Sequence, residues 1–316
     1  MDVLLIVTYA SAAVFLLAVI ARAVKILRLP IHVRWELYPV AHEKGRAHYG
    51  GSYLEDPDWW TKKRESSKIG ELKVMIPEIL LLSAVREHNR GHWVLTFPFH
   101  FGLYLLAATI ALLLVGGVAS ASGLNVSAGG GGLSGALHHL TYVVGYIGLA
   151  LALVGALALL GRRMFNQDYR EYTAVGDYFN LVFFVVTIVV AVAAQILADP
   201  DFAGLRAFFQ RLVTFDLSAA GATSSPYSGL TVAEIVLASL LVAYIPLTHM
   251  AHFFTKWFMY HDIRWGDEPN LAGGKMEKKI QAVLSYPVSW AAPHIRGDGK
   301  KTWAQVATEG VEEKAE

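Results

Sequence analysis

The sequence predicts an all-α integral membrane protein with five transmembrane helices, of which helices two to five form a bundle. Three observations lead there. The 316 residues are 54% hydrophobic and only 17% charged, too apolar for an ordinary soluble domain. Five apolar runs, at about 2–24, 94–118, 137–161, 178–198 and 232–256, each reach the roughly 20 residues that a helix needs to cross a bilayer. None of them alternates polar and apolar residues as a membrane strand would.

The chain divides into a first transmembrane helix (1–25), a cytoplasmic connection (26–93), a four-helix transmembrane bundle (94–256) and a cytoplasmic tail (257–316). Basic residues set this orientation. Of the 27 Lys and Arg, 13 fall in 22–93, 3 in 161–177 and 9 beyond 255, so nearly all lie on alternate connections. By the positive-inside rule those connections are cytoplasmic, which puts the N-terminus outside and the C-terminus inside. Arg22, Lys25 and Arg28 follow the first apolar run instead of preceding it, so that run reads as a retained span and not a cleaved signal.

The 26–93 connection is far longer than the usual link between bundle helices. It holds the aromatic stretch WELYPVAHEKGRAHYGGSYLEDPDWW and then IGELKVMIPEILLLSAVREHNR, which reads as an interfacial helix with Pro77 at the start of its second half. The Trp- and Tyr-rich part suits a docking surface for a soluble subunit. On the other side of the membrane, SASGLNVSAGGGGLSG is a charge-free flexible link. DFAGLRAFFQRLVTF spaces Phe202, Leu205, Phe208, Phe209 and Leu212 as one face of a short helix on the outer surface, and SAAGATSSPYSG after it is loop.

Cysteine is absent, so the chain itself offers no thiolate for an iron–sulfur cluster or a zinc site. It also lacks a phosphate-cradling glycine loop, an HExxH helix and any feature of nucleic-acid binding. What it does carry is histidine inside apolar spans, a functional signal in a membrane. His100, in FPFHFG, sits about 9 Å into the second span at 1.5 Å per residue. His249 and His252, in IPLTHMAHFF, lie near the inner end of the fifth. The two spans run in opposite directions, so His100 and His252 reach comparable depth. Two imidazoles on facing helices at one depth are what bis-His haem ligation requires. A hydrogen bond to a neighbouring carbonyl is the plainer account of a single buried histidine, and H-x-x-H at 249–252 can also be a metal pair on one helix face. His249 reads as a propionate partner or a rival ligand. His92 and His261 form a further pair at the polar boundary. His138 and His139 open the third span on the outside, near the level of Glu234, either as an interfacial cap or as a quinone and proton site.

The block GRRMFNQDYREYTAVGDYFNLVFFVV, with RR-x-F, Arg170, Thr173 and Gly176–Asp177, resembles the inner loop and fourth helix of the respiratory nitrate reductase gamma subunit, a five-span cytochrome b. FFQRLVTF, the FH-x-G at Phe99–Gly102 and the PLTHMAH spacing extend that resemblance over about 94–256. It implies that His100 and His252 hold the haem b nearer the cytoplasm. It further implies an outer haem whose ligands would fall at Ile110 and Glu234, neither of which replaces a neutral imidazole. One haem is therefore expected, with a second at His138 or His139 left open. WELYP and GGSYLEDPDWW resemble the membrane cytochromes of heterodisulfide-reductase-like complexes, which work with a cytoplasmic iron–sulfur subunit.

The expected function is thus a haem b subunit of a respiratory oxidoreductase complex in the cytoplasmic (inner) membrane of a prokaryote, the quinone-reactive electron-transfer subunit between menaquinone and a cytoplasmic iron–sulfur subunit, joined in the complex by further cytochrome subunits. The quinone would bind on the outer side at His138, His139 and Glu234 or, as the alternative, on the inner side near the haem. Propionate partners would come from Arg90, Arg162, Arg163 and Lys256. The alternatives are a two-haem gamma-type subunit and a non-redox transporter or anchor. No duplicated halves support a transporter.

Overall fold

The computed structural model describes residues 2–29, 56–58, 61–62, 67–218, 227–255, 271–292 and 295–309. The aromatic stretch of the long connection, Lys256, His261 and most of the 218–229 loop lie outside these residues. The chain falls into two compact units, residues 1–16 with 72–248 and residues 17–71 with 249–316.

Five helices among the described residues are long and apolar enough to cross a membrane: Val3–Leu27 (α1), Arg90–Ala121 (α4), Leu133–Phe165 (α5), Val175–Leu197 (α7) and the Gly229–Leu247 stretch, which opens with α9 (Gly229–Tyr244). Shorter helices connect them: α2 (Lys68–Leu81), α3 (Ser83–His88), α6 (Gln167–Glu171) and α8 (Ala203–Val213). The protein is an all-α, multi-pass membrane protein.

In the first unit α4 packs along α5, α5 against α7 and α7 against α9, while α8 folds over α4. Small residues make the α4–α5 approach. A β-carbon on Gly102 would overlap the backbone of Ala152, and one on Gly155 would overlap the backbone of Phe99. Glycine at such crossings lets membrane helices come together without forcing side chains aside. Two ends of this bundle can be told apart, the α6 end and the α8 end.

The α8 helix forms where the apolar spacing predicts. Phe202 caps it in a left-handed conformation (φ 59°) and is itself buried. Its apolar face does not lie open, however. Leu205 and Phe208 join Leu4, Leu5, Leu113 and Ile235 in one buried cluster. Arg211 meets Asp2 at 2.6 Å and the Tyr9 hydroxyl donates to the Leu212 carbonyl at 2.6 Å, fastening α8 to the start of α1.

Two local expectations change. Pro77 lies inside α2 and does not begin a helix; the break comes later, at Leu82, which is left-handed (φ 51°). There the Ser83 hydroxyl donates to the Pro77 carbonyl and the Ala84 N–H to the Glu78 carboxylate, satisfying groups at the junction. The fifth span does not run as one helix to 256. Regular α-helix stops at Tyr244, a 3-10 turn covers Ile245–Leu247 with Pro246 early in it, and Thr248 is extended before a second 3-10 turn at His249–Ala251. Proline cannot donate the backbone hydrogen bond that would continue the helix.

The second unit includes a small folded module where only a tail was expected. α10 (Lys275–Leu284) buries Met276, and a short antiparallel pair, β1 (Ala291–Ala292) with β2 (Ile295–Arg296), follows. Val288 is fully buried, its N–H donating to the Lys301 carbonyl at 2.8 Å. α11 (Trp303–Thr308) closes the module through a capping box between Thr302 and Gln305.

Candidate functional site

At the α6 end, His100 sits on α4 with its ring edge-on to Phe99, which in turn meets Phe184 of α7 edge-on. The glycine at 155 is what allows α5 to come up to this turn. His100 Nδ1 lies 2.9 Å from the Thr96 carbonyl and 3.2 Å from the Thr96 hydroxyl. A carbonyl can only accept, so Nδ1 carries the proton and the ring's lone pair is on Nε2. Histidines that ligate metal through one nitrogen commonly tie down the other in this way.

The arginines expected near propionates are engaged with backbone and ring groups. Arg162 donates to the Gly91 carbonyl at 2.8 Å and lies over the Tyr169 ring, 4.2 Å from its centre. Arg163 donates to the Thr173 hydroxyl at 3.0 Å and approaches Asp177 at 3.9 Å. These contacts join the GRRMF and Thr173–Asp177 elements into one folded corner. His92 stacks on Tyr169.

His249 and His252 belong to the second unit, in and just after the His249–Ala251 turn. Both side chains are exposed, and His252 Nδ1 is 3.4 Å from the His249 carbonyl. Counting depth along an unbroken helix stops applying at Tyr244, so the pairing of His252 with His100 rests on sequence motif and not on rise. Among the described residues, no three His, Asp or Glu side chains converge as a non-haem metal ion would need. Bis-imidazole ligation needs only two.

At the α8 end the structure separates the adjacent histidines. His138 is buried in the bundle, whereas His139 is exposed. Arg206 of α8, itself buried, reaches His138 Nδ1 at 3.4 Å and the carbonyls of Val126 and Asp201 at 3.3 and 3.4 Å. Burial holds the Arg206 guanidinium below its usual pKa, with Asp201 and Asp199 opposing that shift. Since guanidinium only donates, His138 Nδ1 is the acceptor. Glu234 belongs to a different group. Its carboxylate accepts from the Gln195 amide of α7 at 2.7 Å, and both side chains are buried. Ile110, the other expected outer position, is exposed on α4.

Gln195 and Arg206 were not singled out by sequence reasoning. A side-chain amide within a largely apolar span, shared there with Asn180, was the available signal for Gln195. Arg206 was visible as one of two basic residues on the charge-poor side.

The sequence model of the nitrate reductase gamma subunit family matches residues 88–265, more than half of the chain. The chain belongs to the nitrate reductase gamma subunit family. No curated protein and no solved structure matches it. The family match takes in α4, α5, α7, α8 and α9, together with His100, His138, Glu234, His249 and His252. It leaves α1, most of the long connection and the 271–309 module outside. Gamma subunits of this family are haem-containing membrane parts of multi-subunit redox complexes.

Proposed function

We propose that this gamma-family chain is the haem b membrane subunit of a respiratory complex that passes electrons between menaquinone and a cytoplasmic iron–sulfur subunit. The observation that carries the reading is the family match over 88–265. It encloses His100, whose protonated Nδ1 is held by Thr96 and whose lone pair is on the other nitrogen. His100 and His252 are assigned as the two axial ligands from the FH-x-G and PLTHMAH motifs, with His249 as a hydrogen-bonding partner beside them.

Bound haem would supply one-electron transfer, tuned by its axial ligands and its burial. The chain's own part is to orient the ligating ring through Thr96 and to pack α4 against α5 around it. Ile110 faces outward and Glu234 is paired with Gln195, which favours one haem over two. His138, His139 and Glu234 are assigned to a quinone and proton site on the outer side, with His138 and Glu234 facing the interior. The 26–93 connection and the C-terminal module are assigned to docking of the soluble subunit, with the C-terminus in the cytoplasm.

Electron entry tests this directly. Menadiol added to the oxidised, detergent-purified chain should produce the absorption band of reduced haem b. Glu234→Gln should slow that reduction while leaving haem content unchanged. Haem that stays oxidised contradicts quinol reactivity, and an unchanged rate in the variant removes Glu234 from the site.

A further inference from the structure

Among the described residues, three buried side-chain polar atoms have no hydrogen-bond partner: His92 Nδ1, Thr187 Oγ1 and Gln195 Oε1. Two of the three are on α7. Thr187 and Gln195 stand two turns apart on its buried face, about 12 Å along the axis at 1.5 Å per residue. Asn180 lies two turns further toward the α6 end on the same face. Buried polar atoms are normally satisfied, and a recurrent reason for an apparent orphan is a water molecule. Thr187 stands out because threonines in membrane helices usually turn back to a carbonyl four residues earlier. Thr109 and Thr141 of this chain do so.

Each end of this polar face is tied to α9. At the α8 end Gln195 donates to Glu234, and at the α6 end the Tyr244 hydroxyl donates to Asn180 Oδ1 at 2.7 Å. Glu234 has no cationic partner among the described ion pairs. Its ionisable surroundings are the Asp199 carboxylate, occupied by the N–H groups of Gly204 and Leu205, and Tyr146 of α5, whose hydroxyl donates to the Gln195 and Pro200 carbonyls. Elsewhere on α9, Ser239 pairs with the Thr8 hydroxyl of α1. A buried carboxyl hydrogen-bonded to an amide is a group able to take up and release a proton within the span.

We propose that buried water occupies the α7–α9 seam at Thr187 and Gln195, forming with the Glu234 carboxyl a proton track that the Tyr244–Asn180 bond closes at the α6 end. Protons pass from water to water and through the Glu234 carboxyl, which takes one proton as it gives another, while Thr187 and Gln195 hold the waters in place; the water chain then turns back to its starting orientation, and no electron moves. The track stands on these residues alone and does not depend on the haem or quinone assignment.

The test is proton flux into potassium-loaded proteoliposomes of the full chain, driven by a valinomycin potential and read by an internal pH dye. Tyr244→Phe removes the closing bond and should raise flux several-fold over the unmodified chain. Adding Thr187→Val or Glu234→Gln to that variant should return flux to the starting level. All variants should melt at similar temperatures, since each change is close to isosteric. Flux in Tyr244→Phe no higher than in the unmodified chain overturns the proposal, as does a leak that Thr187→Val and Glu234→Gln leave untouched.

Discussion

The backbone of Phe99 crosses α5 at Gly155 so closely that any β-carbon at 155 would overlap it, one residue before His100. Alanine in place of helical glycine ordinarily stabilises by up to about 1 kcal/mol. Here it has to push the two helices apart. Gly155→Ala should destabilise by about 1–3 kcal/mol, the usual cost of overpacking, and should lower retained haem. Gly161→Ala on the same helix has open space around its β-carbon and is the matched control. Thermal denaturation and haem absorbance of the two variants check both statements.

Arg206 is a second point of sensitivity. It holds the carbonyls of Val126 and Asp201 together with His138, and so ties the loop between α4 and α5 to α8. Arg206→Leu leaves those buried acceptors unpaired and should cost about 1–3 kcal/mol. Arg206→Lys should not restore stability, because an ammonium cannot offer a planar fork of donors to three separated acceptors. Melting temperatures of both variants in one detergent decide the matter.

Acid should loosen the turn that follows α8. The Ser218 hydroxyl and N–H, and then Arg211, hold the Asp216 carboxyl below its ordinary pKa. A group with a lowered folded-state pKa adds stability that is full above the unfolded-state value and is lost as pH falls through the folded one. The melting temperature should therefore drop as pH falls below the ordinary carboxylate range, and Asp216→Asn should flatten that drop. Asp2→Asn, which breaks the partly buried pair with Arg211, should cost about 1 kcal/mol near neutral pH.

Much of the fold was legible because lipid demands long apolar helices with internally satisfied backbones, a pattern that length and composition reveal. The five spans and α8 followed from it, while the GRRMF block stood out only by its resemblance to the gamma subunit. The end of the fifth span was harder to read, since Pro246 in an apolar run can kink a helix or end it, and neighbouring packing chooses. The C-terminal module was missed because its short helices and two-residue strands carry little periodicity; its order comes from Val288, Met276 and backbone bonds between distant residues. At the candidate site, the histidines were visible as polar residues in apolar spans. Which of His138 and His139 turned inward, and that Gln195 would partner Glu234, depended on helix rotation and on long-range packing that local sequence does not encode.

The central claim is that His100 and His252 hold one haem b. A pyridine haemochrome assay on the detergent-purified chain, with His100→Ala and His252→Ala beside it, tests it most directly. The account predicts one haem b per polypeptide, lost in both variants while the protein remains folded. Absence of haem from the unsubstituted chain, or its full retention in either variant, would contradict it.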